Sequence, residues 1–189
     1  MAERSINGIR VAILATSGVE QSELTEPRKA LDEAGARTFL ISPKKEKIQA
    51  FKHHDKAEQF QSEMALEQAN PNDFDAVLLP GGALNADALR MESSAQEFVR
   101  RIDSDGKPIA VICHAPWLLV SARLTNGRTM TSYYTIQDDI RNSGAEWVDK
   151  EVVRDENWVS SRQPSDIPAF NREMIALFGE LKQKTREAA

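Results

Sequence analysis

The chain holds a single cysteine, Cys113, among 189 residues. No internal disulfide can form, so a reducing cytoplasm is the expected home. Excess positive charge is missing too: 24 Lys and Arg stand against 29 Asp and Glu, a formal net charge of −5. A nucleic-acid or anionic-membrane binder needs a basic face, and no Lys/Arg cluster interleaved with aromatics occurs. No apolar run is long enough to span a bilayer, and Met1 to Arg10 lacks the apolar stretch of a secretory signal. Neither membrane nor nucleic acid is therefore an expected partner. There is no G-x-S-x-G elbow, no P-loop and no G-x-G-x-x-G fingerprint. No histidine follows His114, which excludes a glutamine amidotransferase, whose cysteine elbow needs a distant downstream histidine and glutamate. With one cysteine and no spaced ligand set, neither a metal site nor a bound cofactor is expected.

What is present is an alternation of apolar runs and helical patterns across one domain, residues 1–189. Arg10 to Ala15 is a continuous apolar run, the mark of a strand buried on both faces. Leu24, Ala30, Leu31 and Ala34 predict a helix, with Pro27 near its first turn and Gly35 ending it. Thr38 to Ile41 reads as a second strand, and residues 42–70 are polar apart from a small hairpin near Ile48 to Phe51. Asp75 to Gly82 is a buried strand ending in a glycine turn. Ser94 to Glu97 forms a capping box that opens a helix stopped by Gly106. Lys107 to Ile112 is the strand that leads into Cys113, and an apolar helix follows Pro116. A short strand at Thr129 to Thr131 precedes a helix from about Thr135 to Asn142. Glu146 to Val153 and Asn157 to Ser161 read as two strands. Ser165 or Asp166 caps a last helix with an apolar face of Ile167, Phe170, Met174, Leu177, Phe178 and Leu181.

This order predicts an α/β three-layer sandwich with a mainly parallel sheet, in which ligands bind at the carboxyl ends of the strands. Three segments follow strands directly: Glu20 to Glu23, Gly81-Gly82 and Cys113-His114. They are expected to meet on one edge. Buried inert cysteine is the common case, but Cys113 falls on a strand-to-helix junction. There an exposed sulfur beside a helix N-terminus favours thiolate. His114 is either the proton acceptor for that thiol or a structural histidine, while His53 and His54 are expected in solvent. Glu20 and Glu23 suit a helix start, and one of them in protonated form would donate to the sulfur. The N–H groups of Gly82 and His114 form a candidate oxyanion hole.

These residues resemble the PfpI branch of the superfamily that includes the Parkinson-associated protein deglycase, the glyoxalase III enzymes and PfpI-type intracellular proteases. The resemblance runs from about Arg10 to Gly179. It rests on Glu20-Gln21-Ser22-Glu23-Leu24, Asp75 to Gly82, Ile112-Cys113-His114-Ala115-Pro116, Asn142 to Asp149 and Ser161 to Asp166. It implies a flavodoxin-like sandwich with a cysteine nucleophile elbow, a homodimer or higher homo-oligomer, and a cytoplasmic stress role. By position, Cys113 matches the nucleophile, Glu23 the glutamate that contacts it, Glu20 a second acid of the same loop and His114 the adjacent histidine. Asp87 matches an acid that reaches the histidine of a neighbouring subunit. Ala115 stands where glycine is usual and Ala86 where proline is common.

Three functions compete. The first is hydrolysis of small reactive carbonyls or glycated proteins and peptides through a Cys113 hemithioacetal. The second is an oligomeric peptidase using Cys113, His114 and a partner chain's Asp87. The third is a redox sensor or holdase whose Cys113 sulfinate is held by Glu23.

Overall fold

The computed structural model describes residues 6–187, with side chains to residue 180. In chain order its elements are β1 (Arg10–Leu14), β2 (Val19–Glu20), α1 (Gln21–Glu33), β3 (Arg37–Ser42), β4 (Lys47–Lys52), β5 (Asp55–Gln61), β6 (Met64–Ala65), β7 (Ala76–Leu79), α2 (Ala83–Met91) and α3 (Ser93–Ser104). Then come β8 (Ile109–Ile112), α4 (Pro116–Ser121), β9 (Thr129–Met130), α5 (Gln137–Asn142), β10 (Glu146–Trp147), β11 (Val152–Asp155), β12 (Trp158–Ser161) and α6 (Ile167–Glu187).

The continuous apolar runs became interior strands: β7 and β8 are buried at every position. Seven strands form one sheet in the order β11-β12-β8-β7-β1-β3-β6, parallel except for β11 against β12. Successive strand residues point to opposite faces. Val11, Ile13, Leu78 and Ile112 therefore pack with Leu24 and Leu31 of α1 and with Phe170, Met174 and Leu177 of α6. Ala12, Val77, Leu79 and Val111 pack with Phe98, Val99 and Ile102 of α3 and Leu118 of α4. The result is the expected flavodoxin-like three-layer sandwich, with a mainly parallel sheet between two helical layers. Leu181, placed on the apolar face of α6 by periodicity, lies outside the described side chains. Among the described residues no helix is long and apolar enough to cross a membrane.

Several local expectations are corrected. Pro27 sits inside α1 and not in its first turn, because the helix already starts at Gln21, directly after β2. Ser94 does not cap α3: the helix begins at Ser93 behind Glu92, with no side-chain cap, since α2 ends just before it. α2 itself escaped the pattern because Asn85 is buried while Leu84 and Met91 are exposed. The segment from Glu146 to Val153 splits in two, β10 pairing with β9 and β11 with β12. Lys150 N–H turns back onto the Val148 carbonyl, and Arg162 holds Asp149 at 2.7 Å. Asp166 gives its carboxylate to the guanidinium fork of Arg162, at 2.8 and 3.1 Å. The polar middle segment carries a full hairpin, β4 and β5, which joins β2 in a separate three-stranded sheet beside α1.

Candidate active site

β7 and β8 deliver Gly81-Gly82 and Cys113-His114 to one edge of the main sheet, and Glu20 to Glu23 reach the same place from β2 of the smaller sheet and the first turn of α1. β8 ends in Cys113, whose φ of 64° is left-handed, a conformation costing a non-glycine residue about 1–3 kcal/mol. Two backbone bonds hold it there: Cys113 N–H donates to the Ser161 carbonyl at 3.1 Å, and Tyr133 N–H donates to the Cys113 carbonyl at 2.8 Å. Pro116 then starts α4 with a ring already set for helix. Ala115, where the family usually has glycine, has φ −58° and ψ −26°, so its Cβ fits without strain.

The expected exposed thiolate is corrected. Cys113 is 6% exposed. Burial pushes its thiol well above the ordinary range and the Glu23 charge adds to this, while the N–H groups of Gly82 and His114 pull it down. The helix cannot reverse the balance: α4 spans six residues and starts three positions past the sulfur. The resting group at neutral pH is a thiol.

Glu23 comes from the first turn of α1 and is fully buried. Its Oε2 accepts from Gly81 N–H at 2.9 Å. Oε1 is buried without a hydrogen-bond partner. Burial raises this carboxyl to about 8; its interaction with Cys113 lowers it, the Glu20 charge raises it and the Gly81 N–H lowers it. Glu23 is therefore protonated at pH 7. Because Oε2 is already accepting, the proton belongs on Oε1, where it can be donated to the Cys113 side or to a bound oxygen.

Gly81 makes this approach possible. A Cβ there would stand 2.5 Å from Glu23 Oε2, 2.6 Å from Cys113 Cβ and 2.9 Å from the Ile112 carbonyl. Gly82, with φ 91°, turns the chain into α2 against the backbone of Gly18 and Glu20. Its N–H and that of His114 both act on the sulfur and favour its anionic form.

His114 faces the thiol, which sequence adjacency left open: its Nδ1 lies 3.1 Å from Cys113 Sγ. The ring stacks on Tyr133 at 4.7 Å and 28° and meets Trp117 edge-on at 5.6 Å. Burial lowers its pKa, so it is neutral at pH 7. Glu20 lines the same cleft but serves the hairpin, its Oε2 accepting from His53 N–H at 2.9 Å. Of the two candidate carboxyls, Glu23 is the one at the sulfur. Asp87 lies exposed on α2 and is not part of the cleft within this chain.

The cleft has a volume of about 880 Å³. Cys113, Glu23 and His114 line it together with Phe51, Tyr133 and Gln163. His53 and His54 are exposed, as expected, yet stand at its rim. Tyr133 and Thr135 were not singled out in the sequence. The available signal was a pair of tyrosines in the loop after β9, which carries no chemistry until that loop is seen to bond the elbow.

The DJ-1/PfpI family model matches residues 9–177. A Pyrococcus furiosus protein named deglycase PfpI is 39% identical over 169 residues, covering 89% of this chain and 99% of its own. General stress protein 18 of Bacillus subtilis is 42% identical over 171 residues, covering 90% and 98%. Among solved structures, Drosophila melanogaster DJ-1beta superposes with a TM-score of 0.82 at 27% identity, covering 96% of this chain and 97% of that one. Elbow, sheet order and sequence agree: the chain belongs to the DJ-1/PfpI family.

Proposed function

We propose that this protein is a cysteine-dependent hydrolase of reactive carbonyls and early glycation adducts. The observation that carries the reading is one thiol on the cleft floor with a neutral imidazole at 3.1 Å and a protonated carboxyl beside it. The name deglycase on the P. furiosus relative supports the same class.

The protonation states assign the roles. A protonated Glu23 cannot take the thiol proton, so His114 Nδ1 takes it as sulfur bonds to the carbonyl carbon. The carbonyl oxygen gains the electron pair, is held by the Gly82 and His114 N–H groups, and receives a proton from Glu23 or from the imidazolium. The product of this addition is a hemithioacetal. With a 2-oxoaldehyde, a proton then moves from the hemithioacetal carbon to the neighbouring carbonyl carbon by way of an enediol. That leaves a thioester, which water cleaves to a hydroxyacid and free thiol. No external oxidant is consumed, since one carbon is oxidised and its neighbour reduced.

The test is turnover of methylglyoxal, and of its early adduct on N-acetylarginine, by wild type and Cys113→Ser. We expect hydroxyacid release by wild type and its loss in the variant. Equal rates for the two proteins would defeat the reading.

A further inference from the structure

His114 has a second ring nitrogen, and the cysteine does not use it. Nε2 lies 3.3 Å from Thr135 Oγ1. Thr135 sits in a short 3-10 turn, Tyr134–Ile136. That turn is tied to the elbow itself: Tyr133 N–H donates to the Cys113 carbonyl, and Ile136 N–H closes the turn on the Tyr133 carbonyl. The tether that fixes the nucleophile's backbone thus also fixes the hydroxyl beside its histidine. Tyr133, stacked on the imidazole, blocks rotation out of this plane.

We infer that Thr135 is a positioning residue that accepts the Nε2–H of His114 and so keeps Nδ1 bare toward Cys113. The reasoning is tautomeric. A neutral imidazole carries one proton, and its place is set by the bond the other nitrogen makes. The group facing Nδ1 is a thiol with its own proton to donate. S–H to Nδ1 and Nε2–H to Thr135 Oγ1 then satisfy both nitrogens. In the opposite tautomer sulfur has to accept from Nδ1–H, for which it is a weak acceptor, and Thr135 has to turn its hydroxyl proton onto Nε2, so the first arrangement is the better matched. When Nδ1 takes the thiol proton, the imidazolium keeps its Nε2–H on the threonine oxygen and returns the Nδ1 proton afterwards. Thr135 loses and gains nothing.

This inference rests on the carbonyl reading for its kinetic consequence but not for its structural one. The test uses histidine labelled with nitrogen-15 in wild type, Thr135→Val and Thr135→Ser, with His114→Asn identifying the resonances of His114. We expect the Nε2–H tautomer in wild type and Thr135→Ser and a mixture in Thr135→Val. We also expect kcat about tenfold lower in Thr135→Val at little-changed KM, and recovered by the serine. An unchanged tautomer in the valine variant, or a serine variant as slow as the valine, would overturn the inference. If wild type failed to turn over carbonyls, the proposed function would fall, while the nitrogen spectra would still decide the role of Thr135.

Discussion

Strands β8 and β12 run in parallel register from Ile109 and Trp158 to Ile112 and Ser161, and their two ends are built differently. At the first end Asp103 Oδ1 accepts from Trp158 Nε1 at 2.7 Å and from Arg128 Nη2 and Asn157 Nδ2 at 3.1 Å each. Arg128 also covers the Trp158 ring at 4.3 Å and pairs with Glu156 at 3.0 Å. At the other end the backbone is strained at Cys113, Glu23 is buried with an unpartnered oxygen, and the thiol is held above its ordinary pKa. One end satisfies its polar groups; the other holds them in readiness. The same pair of strands supplies both.

Substitutions can separate the two ends. The largest expected effect is on rate: Cys113→Ala should lower carbonyl turnover by about a thousandfold or more without lowering the melting temperature. Retained turnover would show that the strained end does no chemistry. Next comes Gly81→Ala, whose methyl has to displace Glu23 and the elbow backbone. It should cost about 2–3 kcal/mol in urea unfolding and about a hundredfold in kcat through misplaced groups. If both stay near wild type, the close approach at Gly81 does not organise the site.

Asp103→Ala acts at the quiet end. It should lose about 2–4 kcal/mol by stranding the Trp158 and Asn157 donors and the Arg128 charge, while kcat stays within about twofold of wild type. A selective loss of kcat would mean that the two ends are coupled. Taken over a single pH unit, the smallest effect is a slope. Glu23 titrates near 8 when folded against an ordinary value of 4.5, so between these values the folded chain holds a proton that the unfolded chain has released. The stability this proton confers is full below pH 4.5 and is lost as the pH rises through about 8, by up to about 1.4 kcal/mol per pH unit. Denaturant melts across this window should flatten in Glu23→Gln, and parallel curves for the two proteins would contradict the raised pKa.

The elbow was legible because local chemistry and topology coincide there. Apolar runs at Ala76 to Leu79 and Ile109 to Ile112 announce buried parallel strands, and such strands carry whatever follows them to one edge. Other features depend on partners distant in sequence. Asn85 reads as an ordinary polar residue, yet it is fully buried. Its Oδ1 accepts from Thr16 N–H at 2.7 Å and its Nδ2 donates to the Pro80 and Gly81 carbonyls at 3.0 Å, bracing the ends of β1 and β7. That cross-brace displaced the apolar pattern by which α2 would have been recognised. The thiol state of Cys113 was out of reach for the same reason, since desolvation is a property of packing and not of a motif. Thr135 acquires meaning only once the loop after β9 lies on the elbow.

The margins of the main sheet carry a consequence of their own. On one side it ends in β6, two residues long; on the other it ends in β11, which runs against the common direction and whose Arg154 is tied to Glu180 of α6. Neither margin offers an incoming peptide a long, flat ladder of free amides and carbonyls. The main sheet therefore resists growth by recruiting strands from other molecules, which leaves seven-residue β5, rich in charged and amide side chains at the edge of the smaller sheet, as the longer open margin.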